Sequence, residues 1–556
     1  MGKKILSLCM VLVLCLSLLP VTALAAETNT VYVGGVALAG SSDSIAYATT
    51  NENGEVITEG ATADNYNIKW DGATLTLRNA TILEAKEYTD KSKEKIAIYL
   101  ASGDMNLVLV GENTVDALGE GSAASCGINL GGGSLTIRGQ DNGSLSVFGG
   151  DTKNGNSCGI YANGAITMES GTVTATGESA SAASYGICAR GAVTIEDGTV
   201  TATSGKADGN SIGVYTSGSV TIEDGTVTAT SGEAKGDSFG IFSESDNNLN
   251  NMTITGGTVT ATAGNAVGNG WYSCGIKVEG SITITDGSVT AIGSHATGTE
   301  GTKYSMGMFG VNNVTISGGV VTCIGDIGNT VSCGIATDNG LTITGGTVNA
   351  EGGAASTRFS CGLYAARTCS IEDSTVTATG GTAEQGNSSG IYSGDTSSVQ
   401  LVEVTIKNAT VTATGGTATN GKSSGIFASN VNGIDVKVTI EDSTVTATGG
   451  AAKQGSYGIL AETTGTTADV TIDGNSVVRA NTTDTEGVDS KPISGETTKQ
   501  ENSIIFENGE GTVYGDVTLD ESLTIGEGET LTIPDDSSLN SNGNLTNNGK
   551  IIVDNG

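Results

Sequence analysis

The sequence predicts an all-β fold, a right-handed parallel β-helix with three short strands per coil and roughly 12–15 coils. Three observations point there. A Gly-apolar pair recurs twelve times between Gly127-Ile128 and Gly458-Ile459. Between successive pairs lie short runs in which apolar and polar residues alternate. The composition suits stacking rather than a bulky globular core: 85 glycines, 4 % aromatics and three prolines in 556 residues, with none of the prolines between Pro20 and Pro492.

The spacing of the pairs is 27 or 28 residues at its shortest and 32–35 where intervening loops lengthen. A minimum period with elastic loops is the signature of a coil of fixed girth. In the clearest copy, Gly186 to Thr203, the runs are Ile187-Cys188-Ala189, Val193-Thr194-Ile195 and Val200-Thr201-Ala202. Alternation of period two marks half-buried strands, each too short to stand alone. They bury an apolar side only by stacking in register at about 4.8 Å, so a dozen coils make a rod of about 60 Å. Ile187, Val193, Ile195, Val200 and Ala202 are expected inside. Strict alternation also sends inward the residue before each glycine: Cys126, Cys158, Tyr185, Ile212, Phe239, Cys274, Met306, Cys333 and Cys361. Cys323 and Cys369 take the places of Ala202 and Val193 in their own coils. The cysteines thus read as core hydrophobes with bridging as the alternative, Cys126 with Cys158 and Cys333 with Cys361 being stacked neighbours.

Residues 1–26 read as a secretory signal peptide: Lys3 and Lys4, an apolar run from Ile5 to Leu19, then Ala23-Leu24-Ala25-Ala26. Cys15 lacks the small preceding residue of a lipoprotein signal. No later segment approaches the ~20 apolar residues of a bilayer span, so no membrane insertion is expected. Residues 27–125 are expected to form a cap and irregular first coils, 126–480 the regular repeats, 481–502 a polar loop or linker, and 503–556 a region of more tightly spaced short strands. The location is extracellular, with cell-surface association and further domains of a longer surface protein as extensions of that reading.

The formal net charge is −35. Nucleic acid, bound through clustered Lys and Arg, is excluded as a partner class. An acidic polymer is disfavoured unless a metal ion bridges the like charges.

The run Tyr66-Asn67-Ile68-Lys69-Trp70-Asp71-Gly72-Ala73-Thr74-Leu75-Thr76-Leu77 and the recurring Gly-Thr-Val-Thr-Ala-Thr resemble secreted carbohydrate-binding-domain-containing proteins of Gram-positive, gut-type bacteria, within the pectate-lyase-like right-handed parallel β-helix class. The resemblance covers most of the mature chain. It implies the fold and a polysaccharide or glycan partner, though fold does not imply function.

Three outward features could carry chemistry. In seven of the twelve coils the position after the Gly-apolar pair is aromatic: Tyr161, Tyr215, Phe242, Phe309, Tyr364, Tyr392 and Phe427. With glycine as the preceding outward residue, these rings could form a stripe on which sugars stack, or could pack on one another and protect the sheet. The corner after the second strand carries Glu196, Asp197, Glu223 and Asp224, whose stacked carboxylates could hold calcium or simply remain solvated. Third strands present outward threonines such as Thr172, Thr199, Thr201 and Thr226, which suit any exposed strand.

No catalytic pattern stands out. His295 is the one histidine, and Arg78, Arg138, Arg190, Arg358, Arg367 and Arg479 are scattered. The leading expectation is a non-catalytic glycan-binding or adhesion protein. The alternatives are a β-helical polysaccharide lyase or glycoside hydrolase, using paired carboxylates, and a passive stalk.

Overall fold

The computed structural model describes residues 28–88, 94–117, 123–245, 247–298, 301–395, 401–465, 467–483 and 490–554. The signal-peptide segment 1–26 lies outside them. The described chain is all strand and turn, a parallel β-solenoid of about 14 turns. It contains no helix long and apolar enough to cross a membrane.

Each regular coil has the three strands expected. In one coil these are Ser184–Ala189, Val193–Ile195 and Thr199–Ser204. Each pairs in parallel with its counterpart one coil on: Ile187 beside Val214, Val193 beside Val220, Val200 beside Val227. Ile187, Val193, Ile195, Val200 and Ala202 are all at most 3 % exposed, within one apolar column that runs from Val31 to Ile505. Cys323 and Cys369 belong to that column, stacked between Ala291 and Ala350 and between Leu341 and Val404.

The corner between second and third strands requires a left-handed residue. Glycine fills it in the middle coils, as at Gly198 (φ 94°) and Gly225 (φ 85°). Toward the C-terminal end asparagine and aspartate replace it, at Asp373, Asn408, Asp442 and Asn475 (φ 36–47°). The loops between third and first strands also stack, through a column of alanines that includes Ala180, Ala207, Ala234, Ala266 and Ala296. Their varying length is therefore absorbed around a fixed point.

Glycine in the first strand departs from the simple alternation. The ladder pairs Tyr185 with Ile212 and Ile187 with Val214, but passes over Gly186 and Gly213. A Cβ on Gly186 would lie 2.6 Å from the Thr203 nitrogen and 2.7 Å from the Gly213 oxygen, both backbone atoms. The strand bends there to pack directly on the third strand of its own coil. Strict alternation placed Cys126, Cys158, Tyr185, Ile212, Phe239, Cys274, Met306, Cys333 and Cys361 inward with the residue two positions on. The bend reverses that direction. These side chains lie in layers outside the central column, together with the aromatic positions. Two residues before each glycine sits a buried serine. Ser184 Oγ accepts from the Gly205 nitrogen at 2.9 Å and donates to the Glu178 oxygen at 2.8 Å, tying the bend to the loops beside it.

Antiparallel pairing enters at both ends. Asn29–Val33 pairs with Val36–Gly40 and with Glu94–Leu100, the first strand of the stack. Buried Trp70 donates from Nε1 to the Asn29 oxygen at 3.0 Å. At the other end the stretch expected as a linker carries two strands. Lys491–Ser494 and Thr497–Gln500 extend the stack as a last coil, because the edge beneath them offers a ladder that polar residues can occupy. Ser503–Glu507 then turns back in a hairpin with Glu510–Tyr514. The remaining strands form a second, smaller solenoid with Glu510 beside Thr530 beside Lys550 and Leu523 beside Leu545, a period of 20 to 22 residues.

Because backbone occupies the space beside each first-strand glycine, Gly213→Ala is expected to lower stability by about 1–3 kcal/mol or more. Thr199→Ala, on an exposed position, should stay within about 0.5 kcal/mol of the parent. Thermal unfolding followed by circular dichroism distinguishes the two, and equal midpoints would refute the bend.

Candidate functional site

The bend puts the residue before the glycine and the residue two after it on the outer face of the first-strand sheet, joined in some coils by the residue three before it, as at Tyr272, Tyr304 and Phe359. Along the stack they meet. Tyr185 and Tyr215 have ring centroids 5.5 Å apart, Tyr215 and Phe242 5.9 Å, Phe242 and Phe239 4.5 Å, and Phe239 and Tyr272 6.3 Å. Tyr272 lies 5.0 Å from Tyr304 and 6.0 Å from Phe309. A second run joins Phe359, Tyr364, Tyr392 and Phe427, the last pair stacked at 5.0 Å.

All seven aromatic residues singled out from the sequence therefore share one face, but within a packed layer. The slot beside each ring is filled by the side chain before the glycine. Phe242, Phe309 and Phe427 are buried, at 6 %, 5 % and 1 % exposure. Tyr161, Tyr215, Tyr364 and Tyr392 are half-buried, each with an edge at the surface. In one coil lysine takes the ring position: Lys277 lies beside Phe242 and Phe309, its Nζ 4.5 Å from the Tyr272 centroid and 2.9 Å from Glu279 Oε1.

Two grooves open on this face. The first, about 260 Å³, has Tyr161, Tyr185 and Tyr215 among its walls and Cys126, Cys158 and Cys188 beneath, with Glu94, Asn129 and Arg190 also lining it. Asn129 Nδ2 donates to Glu94 Oε2 at 3.3 Å, while its buried Oδ1 has no hydrogen-bond partner. Arg190 Nε donates to the Tyr161 hydroxyl at 3.1 Å. The second, about 130 Å³, is lined by Tyr272, Tyr304, Phe309, Phe359 and Tyr364, with Asp338 and Arg358 exposed beside them. Burial raises the phenols of Tyr185, Tyr272 and Tyr364 well above the ordinary range, and pushes Tyr215 up to about 12. These four phenols therefore stay neutral at physiological pH, the Tyr215 hydroxyl donating to Glu244 and the Tyr364 hydroxyl to the Gly394 oxygen at 3.2 Å.

The acidic corner has a local role. Glu196, Asp197, Glu223 and Asp224 are exposed. Asp197 Oδ1 accepts from the Gly198 nitrogen at 2.6 Å, and Asp224 Oδ1 from the Gly225 nitrogen at 2.7 Å, so each aspartate braces the left-handed glycine after it. Among the described residues no three of His, Cys, Asp and Glu are arranged to hold a metal ion. His295 pairs with Asp326 at 3.1 Å on exposed loops.

One feature was not foreseen. A cleft of about 490 Å³ lies between the last coils and the 519–523 turn of the small solenoid, lined in part by Asp373, Lys407, Asn408, Asp442, Asn475, Arg479 and Glu521. Arg479 holds the two solenoids together, donating to Glu529 Oε1 at 3.1 Å and to the Thr524 oxygen at 2.7 Å. The replacement of corner glycine by Asp and Asn was its signal in the sequence.

The cysteines from Cys126 to Cys369 are free and buried. The Sγ atoms of Cys333 and Cys361, stacked neighbours, are in direct contact at 2.8 Å. Burial raises the Cys274 and Cys323 thiols and pushes Cys369 up to about 12. An unfolded thiol ionises in its ordinary range while the folded one does not, so this stabilisation is complete below that range and is lost as pH rises through the folded values. The thermal midpoint is expected to fall progressively between the ordinary thiol range and about pH 12. Cys323→Ala, which continues the Ala291–Ala350 column, should fold normally and make that fall shallower. An unchanged slope would contradict the assignment.

Six segments, residues 166–187, 193–213, 220–241, 253–276, 341–356 and 438–459, match the family model described as Beta helix repeat. No curated protein and no solved structure matches the chain. The matched segments all lie within the regular coils, and fold and repeat agree: the chain is a right-handed parallel β-helix similar to the Beta helix repeat family.

Proposed function

We propose that this chain is a secreted, non-catalytic glycan-binding protein, with the outer face of the first-strand sheet as its contact surface. The observation that carries the reading is the pair of tyrosine-walled grooves. Sugars offer an apolar C–H face and a ring of hydroxyls. A half-buried tyrosine presents a ring edge and a neutral hydroxyl at little cost in conformational freedom. Asn129, Glu94 and Arg190 in one groove, and Asp338 and Arg358 beside the other, add acceptors and donors that fix orientation. The buried phenylalanines act beneath, holding the tyrosines in place. The net charge of −35 favours a neutral glycan over an acidic one. The signal-like N-terminus and the resemblance to carbohydrate-binding-domain-containing proteins support an extracellular setting.

A second reading, hydrolysis of a polysaccharide, draws support from the 490 Å³ cleft, where Asp442 and Glu521 line a polar channel with Arg479. It requires new reducing ends from some polysaccharide, lost in Asp442→Asn and Glu521→Gln.

For the binding reading, replacing Tyr161 and Tyr215, or Tyr304 and Tyr364, with alanine should weaken capture on a glycan array by about tenfold or more per groove. Phe427→Ala serves as the contrast, costing about 3–5 kcal/mol of stability as a cavity in the layer. Array binding untouched by all four tyrosine substitutions would remove this face as the site.

A further inference from the structure

Trp271 stands apart from every other large aromatic side chain. It is 56 % exposed, whereas Trp70, the other tryptophan, is fully buried. An indole left in water normally sits on a mobile turn and does nothing. This one sits on backbone held from three sides. Asp237 Oδ1 accepts from the nitrogens of both Trp271 and Tyr272, at 2.5 and 2.9 Å. The Tyr304 nitrogen donates to the Trp271 oxygen at 2.7 Å. Lys303, itself 0 % exposed, donates from Nζ to the carbonyl oxygens of Gly268 and Gly270, at 2.8 and 2.6 Å.

Burying an ammonium is unfavourable unless its hydrogen bonds are made, and here the acceptors are carbonyls of the loop that leads into Trp271. The fold thus uses a buried lysine and a shared carboxylate oxygen to fix the backbone under a side chain that contributes almost nothing to the core. Tyr272, the next residue, is stacked on Tyr304, and both line the second groove.

We infer that Trp271 is the stacking platform of a subsite at the rim of that groove, taking the C–H face of a neutral hexopyranose or pentopyranose ring, with Lys303 and Asp237 as its positioning residues. This rests on the glycan-binding reading above. Rigid display is what makes an exposed ring effective in binding, because little freedom remains to be lost when the sugar arrives. The surrounding negative charge selects uncharged sugars.

The test uses the full secreted chain and its intrinsic fluorescence, in which Trp271 is the one indole open to acrylamide. The probes are cellohexaose, xylohexaose, mannohexaose and maltohexaose. The expected result is that at least one shields Trp271 from acrylamide and shifts its emission to the blue. With binding read by titration calorimetry, since the reporting indole is gone, Trp271→Ala should weaken binding of that oligosaccharide by about tenfold, without lowering the thermal midpoint, and Trp271→Tyr should restore most of it. Lys303→Met should lower the fluorescence anisotropy of Trp271 and weaken binding while the indole itself is unchanged. If the oligosaccharide binds Trp271→Ala as well as the parent, yet is lost on changing Tyr304 and Tyr364, the inference is overturned and the glycan face stands. If none of the four binds the parent chain, or binding survives all of these substitutions, the inference falls together with the reading beneath it.

Discussion

The architecture depends on backbone-to-backbone contact at the glycine of each first strand. At Gly186 the position of a Cβ is taken by the backbone of Ala202 and Thr203 in the same coil and by the Gly213 oxygen in the next. The first strand can therefore lie directly on the third, and the coil closes at a fixed girth. Ser184 secures the closure with hydrogen bonds to the backbone of two loops, at Glu178 and at Gly205, and a buried serine occupies the same place in the neighbouring coils. Interiors tolerate neither voids nor overlap, so the period shortens to 27 residues and no further, and all variation moves into loops that still meet through their alanines.

The bend at this glycine also generates the outer layer. By interrupting the alternation it turns two side chains per coil to the outside, enough to build a continuous apolar sheet of rings and thiols over one face. That layer is stabilising where phenylalanine and cysteine occupy it and exposed where tyrosine does. One geometric device thus serves packing and, in the reading proposed, recognition. The grooves occur where the layer changes residue type, at the three-cysteine patch in the early coils and around Phe309 and Tyr364 further along.

A stack of parallel strands has two raw edges, each able to pair with another chain. Here antiparallel strands cover part of each, Asn29–Val33 and its partners at one end and the 503–514 hairpin at the other. The hairpin reverses the chain into a narrower solenoid whose shorter period reflects a smaller core, centred on Val513, Val517, Leu523, Ile525 and Leu531. Arg479 and its partners dock it against the last large coils, and the polar cleft opens at that junction.

The fold class was legible because it follows from periodicity: the twelve Gly-apolar pairs, the inward Ile187, Val193, Ile195, Val200 and Ala202, and the aromatic position all occupy the places that a stack of equal coils assigns. The residues before the glycines were not, since alternation along a strand says nothing of a bend whose cause is a neighbouring strand's backbone. Residues 491–500 looked like a linker because they are polar, and only the open edge of Ser456–Thr463 and Ala468–Asp473 makes them strands. Composition and repeat by themselves determined a β-helix with an aromatic face. Which rings are buried, which tyrosines line grooves and why Trp271 is held in the open were decided by tertiary structure, because side-chain burial depends on contacts between coils that are distant in sequence.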